Sequence, residues 1–139
     1  MATKDRITCH VLDTSTGLPA RAVRVQLSTT TPSTPASPSP GIQRTFESLT
    51  DDDGRIKIWL PYSSDSAAGE VPVYTLDDVL GEIRGPSRWT LRFDTAGYFG
   101  GDGETFFPEA VVVFTVQEGQ QYHVPLLVSP YSYTTYRGS

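Results

Sequence analysis

Apolar residues in this chain recur at every second position more often than at every third or fourth. That is the period of β-strands rather than of helices. Residues 6–13, RITCHVLD, read as a first strand, followed by a turn at TSTGLPA. Residues 22–29, AVRVQLST, alternate cleanly, with Val23, Val25 and Leu27 on one face. RTFESLT predicts a short strand, DDDG at 51–54 a turn, and RIKIWL at 55–60 another alternating strand. The pattern dissolves from Pro61 to Pro86, where TLDDVLGE carries the Thr75-to-Asp78 spacing of a capping box and predicts one or two helical turns. RWTLRFD at 88–94 predicts a strand, and TAGYFGGDGETFFP a turn or short helix and then a loop. EAVVVFTV at 109–116 reads as a buried strand because it is rich in β-branched residues. QYHVPLLVS and a tail strand in YSYTTYRG complete the chain.

Seven or eight short strands with at most one short helix predict an all-β fold, an antiparallel β-sandwich. Residues 30–41, TTPSTPASPSPG, hold four prolines, which forbid a paired strand and predict a loop. No internal repeat or second domain is visible, so residues 1–139 read as a single domain.

Composition narrows the class of function. The chain has 139 residues, 37% hydrophobic and 19% charged, enough to bury one core. Its net charge of -5 argues against nucleic acid or an anionic membrane as partner. An anionic ligand must then be held by a local cluster of cations. A lone cysteine, Cys9, excludes an internal disulfide framework. No apolar run has the length of a signal peptide or membrane helix, which predicts a cytoplasmic protein. Peroxisomal residence carries no clear signal in the sequence.

Alternation also assigns faces. With Ile7, Cys9 and Val11 on the core side, His10 points outward beside Thr8 and Leu12. With Tyr122, Val124, Leu126 and Val128 inward, His123 points outward with Gln121 and Leu127. In RIKIWL, Ile56, Ile58 and Leu60 are expected inward, leaving Arg55, Lys57 and Trp59 outside. An outer face carrying His10, Arg55 and His123 together with large apolar groups resembles a pocket or interface more than a wet surface. Cys9 faces away from His10 and reads as an inert core thiol. Two histidines without ligand spacing make a weak case for zinc, and DDDG lacks the later glutamate of a calcium loop. GGDG lacks the strand-then-helix setting of a phosphate loop. Aromatic residues persist to Tyr136, so the tail is expected either to be pinned as a strand or to belong to a site.

The opening CHVLDTSTGLPARAVRV and the closing YHVPLLVSPYSYTTYRGS resemble the signatures of the transthyretin-like 5-hydroxyisourate hydrolases. TDDDGRI and RWTLRFDTAGYF with TFFPEAVVVFTV fit the same family between them. The resemblance covers nearly the whole chain, the Pro/Ser tract and an insertion at about 61–87 excepted. It implies the transthyretin sandwich of two four-stranded sheets, assembled as a homotetramer, with His10, Arg55 and His123 facing a channel between dimers. Tyr136, Arg137, Gly138 and Ser139 match the family's terminal tetrapeptide and would bind substrate or hold the tail that does. Where the family often reads His-Tyr-His before VPLL, this chain has Gln121-Tyr122-His123. That weakens any metal site built from the pair.

The implied reaction is hydrolysis of 5-hydroxyisourate to 2-oxo-4-hydroxy-4-carboxy-5-ureidoimidazoline in urate degradation, with no cofactor. His123 would take a proton from water while His10 positions water or shuttles the proton, two roles that could be exchanged. Arg55 would bind the planar substrate and stabilise the developing oxyanion. Two alternatives stand beside it: a non-catalytic small-molecule carrier resembling transthyretin, and a bare β-sandwich interaction module.

Overall fold

The computed structural model describes residues 4–30, 43–62 and 74–138. Nearly all of the Pro/Ser-rich loop, the middle of the 61–87 stretch and Ser139 lie outside the described residues. The strands are β1 (Ile7–Asp13), β2 (Leu18–Pro19), β3 (Arg24–Thr30), β4 (Gln43–Leu49), β5 (Arg55–Ile56), β6 (Leu60–Tyr62), β7 (Ser87–Phe93), β8 (Ala110–Val116), β9 (Tyr122–Ser129) and β10 (Ser132–Thr135). Among the described residues, two short helices, α1 (Leu76–Glu82) and α2 (Thr95–Phe99), and a 3-10 turn at Asp102–Glu104 accompany them.

The strands form two sheets. The first runs β10-β9-β1-β2, with β5 also pairing β1, and the second runs β6-β4-β3-β7-β8. All described pairs are antiparallel except β1 with β9, which run parallel from Ile7 opposite Tyr122 to Asp13 opposite Val128. Each sheet has five strands among the described residues, one more than the four expected, within the same two-sheet sandwich. The additions are β2, where the turn after Asp13 folds the chain back on β1, and β6, which pairs with β4.

The core fills the space between the sheets. Ile7, Cys9 and Val11 of β1 and Val124, Leu126 and Val128 of β9 face Val25 and Leu27 of β3, Phe46 of β4 and Trp89, Leu91 and Phe93 of β7. Each large apolar side chain so buried contributes about 1.5–3 kcal/mol. The regular alternation of β1 and β9 therefore locks their register, since a slip of one residue would expose a whole apolar row. That lock is what holds His10 and His123 on the outside.

Two expectations need correcting. RIKIWL is not one strand: β5 ends at Ile56, Ile58 is 51% and Leu60 66% exposed, and Trp59 is buried at 3%. The segment before β1 breaks the period. Asp5 accepts a hydrogen bond from the Trp59 amide at 2.8 Å and donates its own amide to the Lys57 carbonyl at 2.7 Å. The indole N–H donates to the Ile7 carbonyl at 2.8 Å, so the largest side chain of the segment swings into the core with its one polar atom satisfied. Strand β8 is only half buried: Ala110, Val112 and Val116 are inward, while Val113 is 57% exposed. It is the last strand of its sheet, and its β-branched residues follow strand propensity on both faces.

The helix expected at TLDDVLGE is α1. Thr75 accepts from the Asp78 amide at 3.1 Å, and the Asp78 carboxylate accepts from the Thr75 amide at 2.9 Å. Leu76 and Val79 bury its apolar side.

Candidate functional site

The turn at Asp51–Gly54 sets the position of Arg55. The Asp51 carboxylate accepts from the amides of Asp53 and Arg55, each at 2.9 Å, and the Gly54 amide donates to the Asp51 carbonyl at 2.9 Å. Gly54 has φ +74°, and a Cβ there would lie 2.4 Å from the Val11 carbonyl oxygen. Glycine lets this turn lie directly on β1, where the Val11 amide donates to the Gly54 carbonyl at 2.7 Å. Arg55 thereby becomes the register partner of His10.

His123 arrives from the other side of β1. In the parallel ladder its partner is Thr8, and His10 is opposite Pro125. The two imidazoles stack with ring centroids 6.3 Å apart and planes inclined by 30°. Thr8 Oγ1 lies 2.8 Å from His123 Nδ1. Leu12 and Leu127, opposite each other in the ladder and half-buried, continue this face.

The electrostatics favour neutral imidazoles. Burial, then the Arg55 charge, pushes His10 below the usual imidazole value, against an opposing pull from the Asp53 carbonyl and the carboxylates of Asp51 and Asp53. Burial, then Arg55, His10 and Lys4, lowers His123. Both groups are therefore proton acceptors at neutral pH. Arg55 is exposed and, among the described residues, makes no ion pair. Its fork of donors is turned to solvent beside two bases.

The tail returns to this place. The Gly138 amide donates to the His123 carbonyl at 2.8 Å in an isolated antiparallel bridge. A Cβ at Gly138 would lie 2.7 Å from His123 Cδ2, 3.1 Å from its carbonyl oxygen and 3.2 Å from Pro125 Cγ. Only glycine fits where the tail crosses the imidazole. Arg137 places its guanidinium 4.9 Å from the centre of the Tyr122 ring. Tyr136 is 57% exposed and borders, with Val113, Tyr122 and His123, a groove of about 400 Å³ between the β8 edge and the tail.

His10, Arg55 and His123 are thus brought to one face, with Gly138 against His123. Arg137 and Tyr136 line the adjoining groove, and Ser139 lies outside the described residues. Trp59, expected on this face, is in the core. Thr8 is a contact that sequence reasoning placed on the right face but gave no role. The period of two shows its direction, whereas its pairing with a residue 115 positions away depends on the ladder. Cys9 is fully buried, and burial pushes its thiol far up. Among the described residues no three His, Cys, Asp or Glu side chains gather in a metal-binding arrangement, and no helix is long and apolar enough to cross a membrane.

Comparison with known proteins agrees with this geometry. The family model described as the HIUase/Transthyretin family matches residues 7–138. The chain belongs to that family. Within the HIUase/Transthyretin family, the 5-hydroxyisourate hydrolase of Mus musculus is 39% identical over 142 residues, spanning 100% of both chains. The solved structure of Klebsiella pneumoniae 5-hydroxyisourate hydrolase superposes with a TM-score of 0.59 at 28% identity, covering 96% of this chain and 98% of that one. Transthyretin from Sparus aurata superposes with a TM-score of 0.63 at 25% identity, covering 96% of each chain. The backbone is shared by both kinds of family member, so the distinction between them rests on side chains.

Proposed function

We propose that this chain hydrolyses 5-hydroxyisourate, adding water to a carbonyl of the six-membered ring and breaking the adjoining C–N bond. The observation that carries the reading is the convergence of His10, Arg55 and His123 on one outer face. His123 takes a proton from the attacking water, and His10 orients that water and relays the proton to the departing nitrogen. Arg55 binds the planar ring and stabilises the negative oxygen that forms at the attacked carbonyl. The substrate also opens spontaneously, so the protein has only to lower a modest barrier, each ~1.4 kcal/mol giving tenfold in rate. Tyr136, Arg137 and Gly138 bound the substrate pocket, and Ser139, outside the described residues, is assigned to substrate binding with them.

A carrier needs no bases. Two imidazoles disposed to be neutral, beside a guanidinium that has no carboxylate partner among the described residues, favour hydrolysis over the binding-only reading, as does the higher identity to the mouse hydrolase.

We read the chain as one domain that assembles as a homotetramer with sites shared between subunits. The exposed strand edge of β8, carrying Val111 and Val113, supports association, because bare apolar edges are otherwise covered or blunted. Trp59 lies in the core and takes no part in that association. Sedimentation at micromolar concentration tests it; a fully active monomer contradicts it.

The test of function is to generate 5-hydroxyisourate from urate in situ and follow its ultraviolet decay with and without the protein. Chelator-treated protein is expected to accelerate the decay fully. A rate lost with chelator and restored by zinc would contradict the histidine–arginine mechanism.

A further inference from the structure

The contacts around the His123 ring go beyond the roles assigned above. We propose that Thr8 is a positioning residue that holds His123 in the tautomer protonated on Nδ1, leaving Nε2 free to accept a proton. The inference rests on the hydrolase reading for its purpose, though not for its geometry.

Thr8 lies opposite His123 in the parallel ladder, so both side chains stand on the outer face at the same level. Its hydroxyl oxygen is 2.8 Å from His123 Nδ1 and 3.4 Å from the Tyr122 carbonyl oxygen. Thr8 is only 8% exposed, and these two atoms are the hydrogen-bond partners of its hydroxyl among the described residues. A hydroxyl has one proton to give and lone pairs to accept with. The Tyr122 carbonyl can only accept. When Thr8 donates to it, the lone pair facing Nδ1 requires a proton there, and both contacts become hydrogen bonds. When Thr8 donates to Nδ1 instead, the carbonyl contact is lost and Nε2 carries the proton. The first arrangement makes two bonds and the second makes one.

The opposite edge of the ring is held as well. Gly138 sits against Cδ2, so closely that a Cβ there would lie 2.7 Å away. Turning the ring over would place Cδ2 against the Thr8 oxygen and Nδ1 against Gly138, forfeiting the hydrogen bond. Thr8 and the tail thus fix one ring orientation, and Nε2 is left at the free end of the imidazole. The charged or titratable groups acting on it are His10 from β1, Arg55 from β5 and Lys4 from the segment before β1, and all three disfavour the doubly protonated ring.

Nitrogen-15 NMR of the unsubstituted, ligand-free protein at about pH 8.5, above the ordinary imidazole range, reads the tautomer directly. The expected spectrum has His123 protonated at Nδ1 and bare at Nε2. A proton on Nε2, or an even mixture of the two forms, would overturn the proposal. Kinetics supply the second arm. Thr8→Val keeps the side-chain shape but removes the oxygen, and is expected to lower kcat about tenfold with KM changed less than about twofold. Thr8→Ser, which keeps the oxygen, is expected to retain kcat and the tautomer. Equal losses in both variants would show that packing alone is at stake and would reject the role. If Thr8→Val does not fold, the NMR measurement on the unsubstituted protein still decides. Because that spectrum needs no substrate, failure to hydrolyse 5-hydroxyisourate would refute the functional reading separately.

Discussion

On the outer face of the β6-β4-β3-β7-β8 sheet, Arg24 meets Glu47 at 2.8 Å and Arg92 meets Glu109 at 2.6 Å. On the outer face of the other sheet, Arg55 stands beside His10 and His123 and, among the described residues, pairs with no carboxylate. On the first face Arg24 and Arg92 are neutralised locally, though the exposed Arg88 of β7 has no carboxylate partner among the described residues. Exposed pairs of that kind contribute about 0–1 kcal/mol and need no further explanation. The second face gathers cationic and potentially cationic groups that repel one another. Arg55 depresses both histidines, and His10 further depresses His123. Such a cluster opposes folding wherever the imidazoles would be charged. Its place on an ordered sheet, beside a groove lined by the tail, supports the proposal that it receives a ligand.

Substitutions test the difference between the two faces. The largest effect is expected for His123→Ala, which removes the proposed base and should lower turnover by about 10² or more, measured as the rate of 5-hydroxyisourate decay per folded molecule. Gly138→Ala comes next. The added methyl must displace the imidazole, the softest of its close neighbours, and a misplacement of that order should reduce turnover about tenfold or more while the melting temperature moves little.

A pH profile gives a smaller signal with a definite sign. Both histidines have folded-state values below the unfolded value of about 6.5, so the acid limb of kcat/KM is expected below that pH. The same shifts act on stability. The unfolded chain takes up protons first as pH falls below about 6.5, so the contribution present at neutral pH is lost progressively in that acid window. An acid limb above pH 6.5 would contradict the placement of Arg55 against the imidazoles. The smallest effect on turnover is expected for Cys9→Ser. It places a hydroxyl in the core and should cost about 1–3 kcal/mol in denaturant melts while leaving turnover per folded molecule unchanged.

How far the sequence alone reaches differs along the chain for physical reasons. β1, β3, β7 and β9 were legible because each buries one face, so the period of two is written plainly in their residues. The outward direction of His10 and His123 followed from the same period. Their meeting did not, because β1 and β9 lie more than a hundred residues apart and pair in parallel, which no local pattern reveals. Trp59 defeated alternation because the hydrogen bonds it donates to the Asp5 carboxylate and the Ile7 carbonyl redirect it. The half-buried state of β8 was hidden because valine satisfies strand propensity whether or not a neighbour covers it. Gly138 was legible as part of the closing tetrapeptide, but its steric reason required the position of the His123 ring. Thr8 was visible only as a residue on the outer face, since its partner depends on the β1–β9 register.

The most direct test of the contrast between the two faces is to measure Arg55→Lys and Arg92→Lys side by side in the 5-hydroxyisourate decay assay. Lysine keeps the charge in both but loses the planar fork. Arg92 is predicted to be replaceable, with a rate equal to that of the unsubstituted protein. Arg55→Lys is predicted to fall by about 10², toward the spontaneous rate, as expected when an oxyanion donor is misplaced. Equal rates for the two variants, whether both high or both low, would contradict the assignment of the chemistry to the His10–Arg55–His123 face.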